Sequence, residues 1–126
     1  MNDDRGGWPR RYRRSDENSF DCRAGLLEGA YETCLLYELE RQRLRARSQV
    51  MVPIRYEDLI VDNGYRIDVL VEDAVVLELK AVAAILPVHR AQLLSYLRLG
   101  SFKLGFLLNF QVAHMRDGIV RMVNGL

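Results

Sequence analysis

Two carboxylates and one lysine in a short stretch of the chain are the side chains best placed for chemistry. Asp68, Glu78 and Lys80 all belong to the segment RIDVLVEDAVVLELK, which begins at Arg66. Carboxylate oxygens are the ligands that hard divalent cations such as Mg²⁺ prefer, and such cations often bind through one or two carboxylates. If the fold brings Asp68 and Glu78 together, they form a candidate magnesium site with the ammonium group of Lys80 beside it.

The pattern of this segment predicts two antiparallel strands that do bring the carboxylates together. Apolar residues recur at every second position on both sides of Glu72-Asp73-Ala74, as in half-buried strands. A loop formed by these three residues places six apolar side chains on one face: Ile67, Val69, Val71, Val75, Leu77 and Leu79. The opposite face then carries Asp68 opposite Glu78 and Arg66 opposite Lys80. A two-residue loop would instead place Glu78 on the apolar face, at a cost on the order of several kcal/mol.

A cross-strand ladder of opposite charges on an exposed face would produce the same pattern, so the hairpin alone leaves two interpretations open. Glu28 bears on the choice between them. The spacing of apolar residues predicts a helix from Gly25 to about Arg47. On it, Glu28 lies within about 20° of the direction of Leu35 and Leu39 and therefore borders the buried face. This carboxylate needs a partner, which is either a buried hydrogen-bond donor or a metal at the polar face of the sheet.

Two clusters of arginine could contact a nucleic-acid backbone, and each also has a structural explanation. Residues 1–24 combine glycine, proline, acidic residues and arginine without apolar periodicity, so we expect a disordered segment before a single domain over residues 25–126. Within it, Arg10, Arg11, Arg13 and Arg14 surround Tyr12, but acidic residues dilute their charge. The other cluster ends the predicted helix, where cations favour the negative end of its dipole: Arg41, Arg43, Arg45 and Arg47.

The remaining pattern predicts a mixed sheet with a crossover helix. We expect strands at Gln49–Tyr56 and Leu104–Phe110 and an edge strand at Ile119–Val123, with a turn at Asp62-Asn63-Gly64 before the central hairpin. A helix from Pro87 to Gly100 connects the hairpin to the next apolar strand, which makes the two connected strands parallel. The fold class is therefore α/β, with helices flanking a mixed central sheet.

One side of this second helix carries three polar side chains. His89, Gln92 and Tyr96 follow the i, i+3, i+7 spacing that places residues on the same helix face. A helix face exposed to water would look the same, so the pattern is consistent with either solvent or a bound ligand.

Composition limits the classes of protein to which the chain can belong. With 126 residues and 49% hydrophobic content, it suits one domain with its own core, and a formal net charge of +1 provides no overall attraction for an anionic polymer. No apolar run reaches the length of a membrane span, and the start of the chain lacks the apolar core of a secretory signal. We expect Cys34 to be a buried, reduced thiol, and hence a cytoplasmic protein.

The order of these elements resembles the core of the PD-(D/E)xK nuclease superfamily, a restriction-endonuclease-like αβββαβ fold. In that core, an aspartate precedes a Glu-x-Lys motif on the central hairpin, as Asp68 precedes Glu78-Leu79-Lys80 here. More narrowly, three motifs between residue 25 and about residue 123 are similar to those of the bacterial GxxExxY family: Gly25-x-x-Glu28-x-x-Tyr31, Glu78-Leu79-Lys80-Ala81 and Pro87-Val88-His89-x-Ala91-Gln92-Leu93-Leu94-x-Tyr96-Leu97.

The resemblance implies a nuclease that depends on magnesium, with manganese as a substitute, and hydrolyses DNA phosphodiester bonds by means of a metal-activated water. It places metal binding on Asp68 and Glu78. It implies that Lys80 positions the attacking water or stabilises developing charge. It also implies that Glu28 completes the catalytic site. Magnesium can lower the pKa of bound water while a nearby ammonium stabilises the transition state, so the physical logic agrees with these roles.

The same resemblance assigns substrate binding to the second helix. Gln92 and Tyr96 are similar to a motif that lies beside the active site of related exonucleases and helps to place the DNA strand, and His89 lies on the same side of the helix. DNA is the expected partner, with RNA as the alternative, and no membrane is involved.

Two departures from the family pattern keep other functions open. Ile67 stands where the superfamily's name has proline, and residues 1–23 lack the apolar helix that relatives usually carry before Gly25. A protein partner or a second copy in a homo-oligomer could cover the surface that this helix would bury. A non-catalytic module that binds nucleic acid or protein, and a small subunit that works only inside an oligomer, are therefore the alternatives to an enzyme.

Overall fold

The computed structural model describes residues 28–125, apart from the side chains of Glu28 and Asn63. The tail predicted at residues 1–24 and its arginine cluster lie outside the described residues, as does Gly25. The elements, in chain order, are α1 (Glu28–Arg41), β1 (Ala46–Tyr56), β2 (Leu59–Val71), β3 (Val75–Lys80), α2 (Pro87–Gly100), β4 (Leu104–Asn109), a 3₁₀ helix (Met115–Gly118) and β5 (Ile119–Val123).

The strands of the described chain form one five-stranded sheet in the order β1-β2-β3-β4-β5. The first three strands form an antiparallel meander, β3 and β4 are parallel, and β5 is antiparallel to β4. Because parallel strands need a crossover connection, α2 links β3 to β4. The predicted mixed sheet and the αβββαβ order are confirmed, and β5 has the predicted bounds.

Both faces of the sheet are covered, one by each helix. On the first face, Tyr31 of α1 packs in a cluster with Val69 and Leu77, and on the second face Leu93 of α2 packs in a cluster with Val76. Successive residues of a strand point to opposite faces, so a strand covered on both sides needs apolar residues in a continuous run. The central strands β2 and β3 therefore form the core, and their polar residues stand out within it.

The predicted register of the central hairpin is confirmed. Val69 pairs with Leu77 and Val71 with Val75, around a turn at residues 72–74. The prediction that Ile67 shares the face of Val69 and Val71 is wrong, because Ile67 is fully buried in the cluster on the α2 side.

An irregularity at Asp68 explains the position of Ile67. The paired positions of β1 and β2 skip Asp68 and the opposing residue Gln49. Gln49 has a φ of 55°, in the left-handed region. The strict alternation of a strand therefore does not continue through this point, and the side chains on either side of Asp68 join different clusters.

The first helix ends at Arg41, so its predicted extension to Arg47 is wrong. Arg43 has a φ of 63°, and β1 already begins at Ala46. Contacts with the turn between β2 and β3 favour the strand, since Nη2 of Arg47 donates a hydrogen bond of 2.7 Å to Oδ1 of Asp73. Among the four arginines, the explanation from the helix dipole therefore applies to Arg41, which lies in the last turn.

The turn predicted at Asp62-Asn63-Gly64 is also wrong, because the chain reverses at Glu57-Asp58 and β2 runs through the predicted turn. The register between β1 and β2 shifts at Pro53, which has no N–H to donate to a strand ladder. A Cβ added to Gly64 would lie 2.3 Å from Cγ1 of Ile54. Glycine is therefore needed here because a neighbouring side chain approaches closely, and not because the chain turns.

Cys34 is half-buried and disulfide-bonded, which corrects the prediction of a buried, reduced thiol. The prediction relied on its apolar neighbours along α1, but the packing of α1 leaves this position partly accessible. The other cysteine of the chain, Cys22, lies outside the described residues. The state of Cys34 therefore no longer supports a reducing compartment. Within residues 28–125, no helix is both long and apolar enough to cross a membrane.

Candidate active site

Asp68 and Glu78 meet at the point where β2 and β3 separate. The paired backbone positions of these strands end at Val69 and Leu77. Beyond them, Oε2 of Glu78 accepts a hydrogen bond of 3.1 Å from the backbone N–H of Asp68, and Oδ2 of Asp68 accepts one of 2.9 Å from the backbone N–H of Leu79. The side chains thus bridge the strands where the backbone ladder stops. We refer to Asp68 and Glu78 as the carboxylate pair.

Burial and repulsion act together on Glu78, whose side chain is only 6% exposed. Burial, followed by the negative charge of Asp68, raises the pKa of Glu78 from 4.5 to about 8. The backbone hydrogen bond from Asp68 and the positive charges of Lys80 and Arg66 oppose this rise. The carboxylate pair therefore attracts cations, and in their absence it holds a proton near neutral pH.

Lys80 lies at the end of β3, half-buried and close enough to Glu78 to lower its pKa. Asn109 of β4 is its neighbour in the parallel register. Asn109 is buried, and its side chain accepts hydrogen bonds from the N–H groups of Val82 (3.1 Å) and Gln111 (3.2 Å) while donating one to the carbonyl of Val82 (2.9 Å). It therefore holds the chain where it leaves the site after Lys80. Asn109 was not predicted from the sequence, because a lone asparagine at the end of a strand indicates no particular partner.

Tyr96 of α2 lies within electrostatic range of the carboxylate pair, and the side chain of Gln92 is its hydrogen-bond partner. The pKa of Tyr96 is raised by burial first, and then by the charges of Glu78 and Asp68, while a hydrogen bond with the side chain of Gln92 lowers it. Of the three side chains that the spacing placed on one helix face, Gln92 and Tyr96 therefore contact each other, and Tyr96 lies close enough to the carboxylate pair for its charges to act on the phenol.

His89 has a contact that the sequence analysis did not foresee. Its Nδ1 accepts a hydrogen bond of 2.9 Å from the backbone N–H of Leu86, just before the first turn of α2. The imidazole ring thus helps to satisfy an N–H group at the helix start, where such groups lack partners within the helix.

Glu32 is a further acidic residue that the sequence analysis missed. Its pKa is raised by burial and by the charge of Asp68, while Gln49 and Arg66 lower it. Nε2 of Gln49 donates a hydrogen bond of 2.6 Å to Oε1 of Glu32. Glu32 lies one helical turn after Glu28, whose side chain is outside the described residues, so the i, i+4 spacing was the available signal.

The fold agrees with the comparison against known families. The model of the PD-(D/E)XK nuclease superfamily matches residues 21–122. The chain belongs to this superfamily. No curated protein and no solved structure matches the chain. PD-(D/E)XK nucleases generally use divalent metals, so the donor atoms of the carboxylate pair can be tested against that requirement.

The donor set fits a hard divalent cation that keeps most of its own waters. The hydrogen bonds of the carboxylate pair use Oδ2 of Asp68 and Oε2 of Glu78, which leaves Oδ1 and Oε1 without a donor among the described residues. Residues 28–125 contain no group of three or more His, Cys, Asp or Glu side chains arranged around a common metal position. Mg²⁺ commonly binds through one or two carboxylates together with waters and substrate phosphates, so two carboxylates are sufficient.

Proposed function

We propose that this member of the superfamily is a magnesium-dependent nuclease that hydrolyses phosphodiester bonds in DNA, with manganese able to replace magnesium. The observation that carries the proposal is the meeting of Asp68 and Glu78 at the end of the β2–β3 ladder, with one oxygen of each turned away from the backbone donors. Its motif pattern supports a closer assignment to the GxxExxY family.

Each residue of the site has a distinct proposed role. Oδ1 of Asp68 and Oε1 of Glu78 would hold the cation, which when bound lowers the pKa of water and neutralises charge on the phosphodiester. The ammonium group of Lys80 lies beside Glu78, where it orients the attacking water and stabilises negative charge as it develops. The amide of Asn109 keeps Lys80 in place by holding the chain that follows it.

The remaining residues act on the substrate and on the environment of the metal. Gln92 and Tyr96 place the DNA strand against the carboxylate pair, and His89 lies one turn earlier on α2. The carboxylate of Glu32 on α1 supplies further negative charge on the Asp68 side of the site, and Glu28 is assigned to completion of the catalytic site.

The test compares cleavage with metal binding in matched variants. Removing the charge of Lys80 in Lys80→Met should preserve magnesium binding and lower the cleavage rate on the order of a hundredfold, because one such charge contact is typically worth about 3 kcal/mol in the transition state. Asp68→Ala should lose metal binding and cleavage together. Lys103→Met is the control, since Lys103 is the other lysine of the chain and lies exposed.

Labelled single-stranded DNA, duplex DNA and RNA should be assayed with magnesium and with manganese, and calorimetry should follow metal binding by protein shown to be folded by circular dichroism. Cleavage by wild-type protein and by Lys103→Met, but not by Lys80→Met, supports the proposal. If the protein binds DNA but does not cleave it with either metal, it is a binding module and not a nuclease. Equal cleavage by Lys80→Met and wild type would remove Lys80 from the catalytic step.

A further inference from the structure

Tyr65 of β2 makes two contacts with Tyr96 that the motif on α2 does not include. The two rings are stacked, with centroids 4.3 Å apart and an interplanar angle of 15°. In addition, the hydroxyl of Tyr65 donates a hydrogen bond of 2.7 Å to the backbone carbonyl of Tyr96. One side chain of the sheet thus holds both the ring and the backbone of the same helix residue.

The helix has a matching feature one turn later, on the same face. A Cβ added to Gly100 would lie 2.5 Å from the hydroxyl oxygen of Tyr65 and 2.4 Å from the ring of Phe102. Gly100 is the last residue of the helix, and Ser101 after it has the left-handed conformation, with a φ of 60°. Glycine at this position therefore leaves space for the hydroxyl of Tyr65 to reach the carbonyl of Tyr96.

Packing alone does not account for the hydroxyl of Tyr65. Tyr65 is 7% exposed and belongs to an otherwise apolar cluster. Phenylalanine could make the same ring stack without a polar group, whereas a buried hydroxyl lowers stability unless it is hydrogen-bonded. The hydrogen bond of this hydroxyl fixes the position of α2 relative to β2. It does so at a residue two positions before Ile67 and three before Asp68.

We propose that Tyr65 is a positioning residue, which holds the ring of Tyr96 in the orientation that presents its hydroxyl to the substrate beside the carboxylate pair. The inference rests on the proposed function of the site, since Tyr96 is assigned there to placement of the DNA strand. Tyr65 itself acts through Tyr96 and does not touch the substrate. Misplacement of a group at the reacting centre lowers the rate of the bound complex, so the effect belongs in kcat.

The experiment uses Tyr65→Phe, which removes the hydroxyl and keeps the stacked ring. At a temperature where both proteins are fully folded, kcat for DNA cleavage should fall on the order of fivefold, the usual consequence of one lost hydrogen bond. KM and magnesium affinity should stay within about twofold. Tyr56→Phe is the control, because it makes the same change at an exposed tyrosine on the β1–β2 turn (66% exposed). A merely structural tyrosine would change the melting temperature and leave kcat unaltered.

Gly100→Ala tests the hydrogen bond between Tyr65 and Tyr96 by a change on the helix instead of the strand. Its methyl group would displace the Tyr65 hydroxyl and the ring of Phe102, so kcat should fall in this variant as well. Because Tyr65→Phe removes the oxygen that the methyl group meets, the double variant should lose less than the product of the single effects. Multiplicative losses in the double variant would overturn the proposed contact, and so would wild-type kcat in Tyr65→Phe.

A second readout separates this inference from the proposed function. Selectively labelled tyrosine rings should be followed by nuclear magnetic resonance in metal-free protein, where Tyr96 signals should move in Tyr65→Phe and stay in place in Tyr56→Phe. If the wild type cuts no nucleic acid but the Tyr96 signals move in Tyr65→Phe, the proposed nuclease activity is refuted and the positioning of Tyr96 by Tyr65 is supported. If cleavage is present but neither kcat nor the Tyr96 signals change in Tyr65→Phe, the positioning role is refuted and the nuclease stands.

Discussion

Replacing Glu78 by glutamine should make the metal-free protein more stable in alkaline solution. In the folded protein the pKa of Glu78 is raised from 4.5 to about 8 by burial and by the charge of Asp68. A shift of one pKa unit corresponds to about 1.36 kcal/mol. Ionisation of Glu78 therefore lowers the free energy of unfolding by at most about 5 kcal/mol. Glutamine has nearly the same shape and can still accept the hydrogen bond from the N–H of Asp68, so it removes the charge and keeps the contact.

The sign of the effect follows from which state holds the proton. Unfolded Glu78 loses its proton near pH 4.5, whereas folded Glu78 keeps it up to about pH 8. The folded state binds more protons in this window, so the stability of the wild type falls as the pH rises through it. Glu78→Gln has no such dependence. Because a buried amide also loses some hydration, we expect a gain of about 2 to 4 kcal/mol at pH 9 and less than about 1 kcal/mol at pH 5.

Urea unfolding followed by far-ultraviolet circular dichroism, in the presence of EDTA, measures this difference. Glu40→Gln is the matched control, since Glu40 is exposed on α1 and should show the same stability as wild type at both pH values. Two results would contradict this prediction: Glu78→Gln being no more stable than wild type at pH 9, or its gain in stability being the same at pH 5. Such a result would mean that neither burial nor the charge of Asp68 makes ionised Glu78 unfavourable in the absence of a cation.

Three further predictions concern the metal and the packing around the site. Calorimetry should show magnesium affinity falling up to about tenfold for each pH unit below about 8, because a proton competes for Glu78; equal affinities at pH 8 and pH 6 would exclude this carboxylate as a ligand. Asn109→Leu should lower the free energy of unfolding in urea by about 2 to 4 kcal/mol, since it leaves the N–H and carbonyl of Val82 unpaired, and a loss below about 1 kcal/mol would contradict that role. Gly64→Ala should lower the free energy of unfolding by about 1 to 3 kcal/mol, and with it the melting temperature, through a clash with Ile54. The additional change Ile54→Ala should remove the clash, and a wild-type melting temperature in Gly64→Ala would disprove the clash.

Much of the central hairpin could be predicted because its information is local. Alternating apolar residues on both sides of residues 72–74 permit few registers, and burial makes a one-residue slip costly. The register around Val69 and Leu77 was therefore predicted correctly, together with the mixed sheet and its crossover helix. The positions of Asp68 and Glu78 in the chain were likewise sufficient to bring their side chains together.

Where two distant segments compete for one stretch of chain, the sequence alone was misleading. The residues after Arg41 continue a helical pattern, but pairing with β2 and the contact between Arg47 and Asp73 favour a strand. The residues Asp62-Asn63-Gly64 have the composition of a turn, and the register shift at Pro53 places them inside β2 instead. Tertiary contacts outweighed local preferences in both cases, since those preferences are worth only about 1 kcal/mol per residue.

The sequence by itself determined which elements form and which carboxylates the hairpin brings together, because both depend on periodicity within one short segment. Only the tertiary structure decided what surrounds those carboxylates. Glu32 from α1, Asn109 from β4 and Tyr65 behind Tyr96 reach the site from elements far apart in the chain. No spacing rule connects such residues, because their distances depend on how the two helices pack against opposite faces of the sheet.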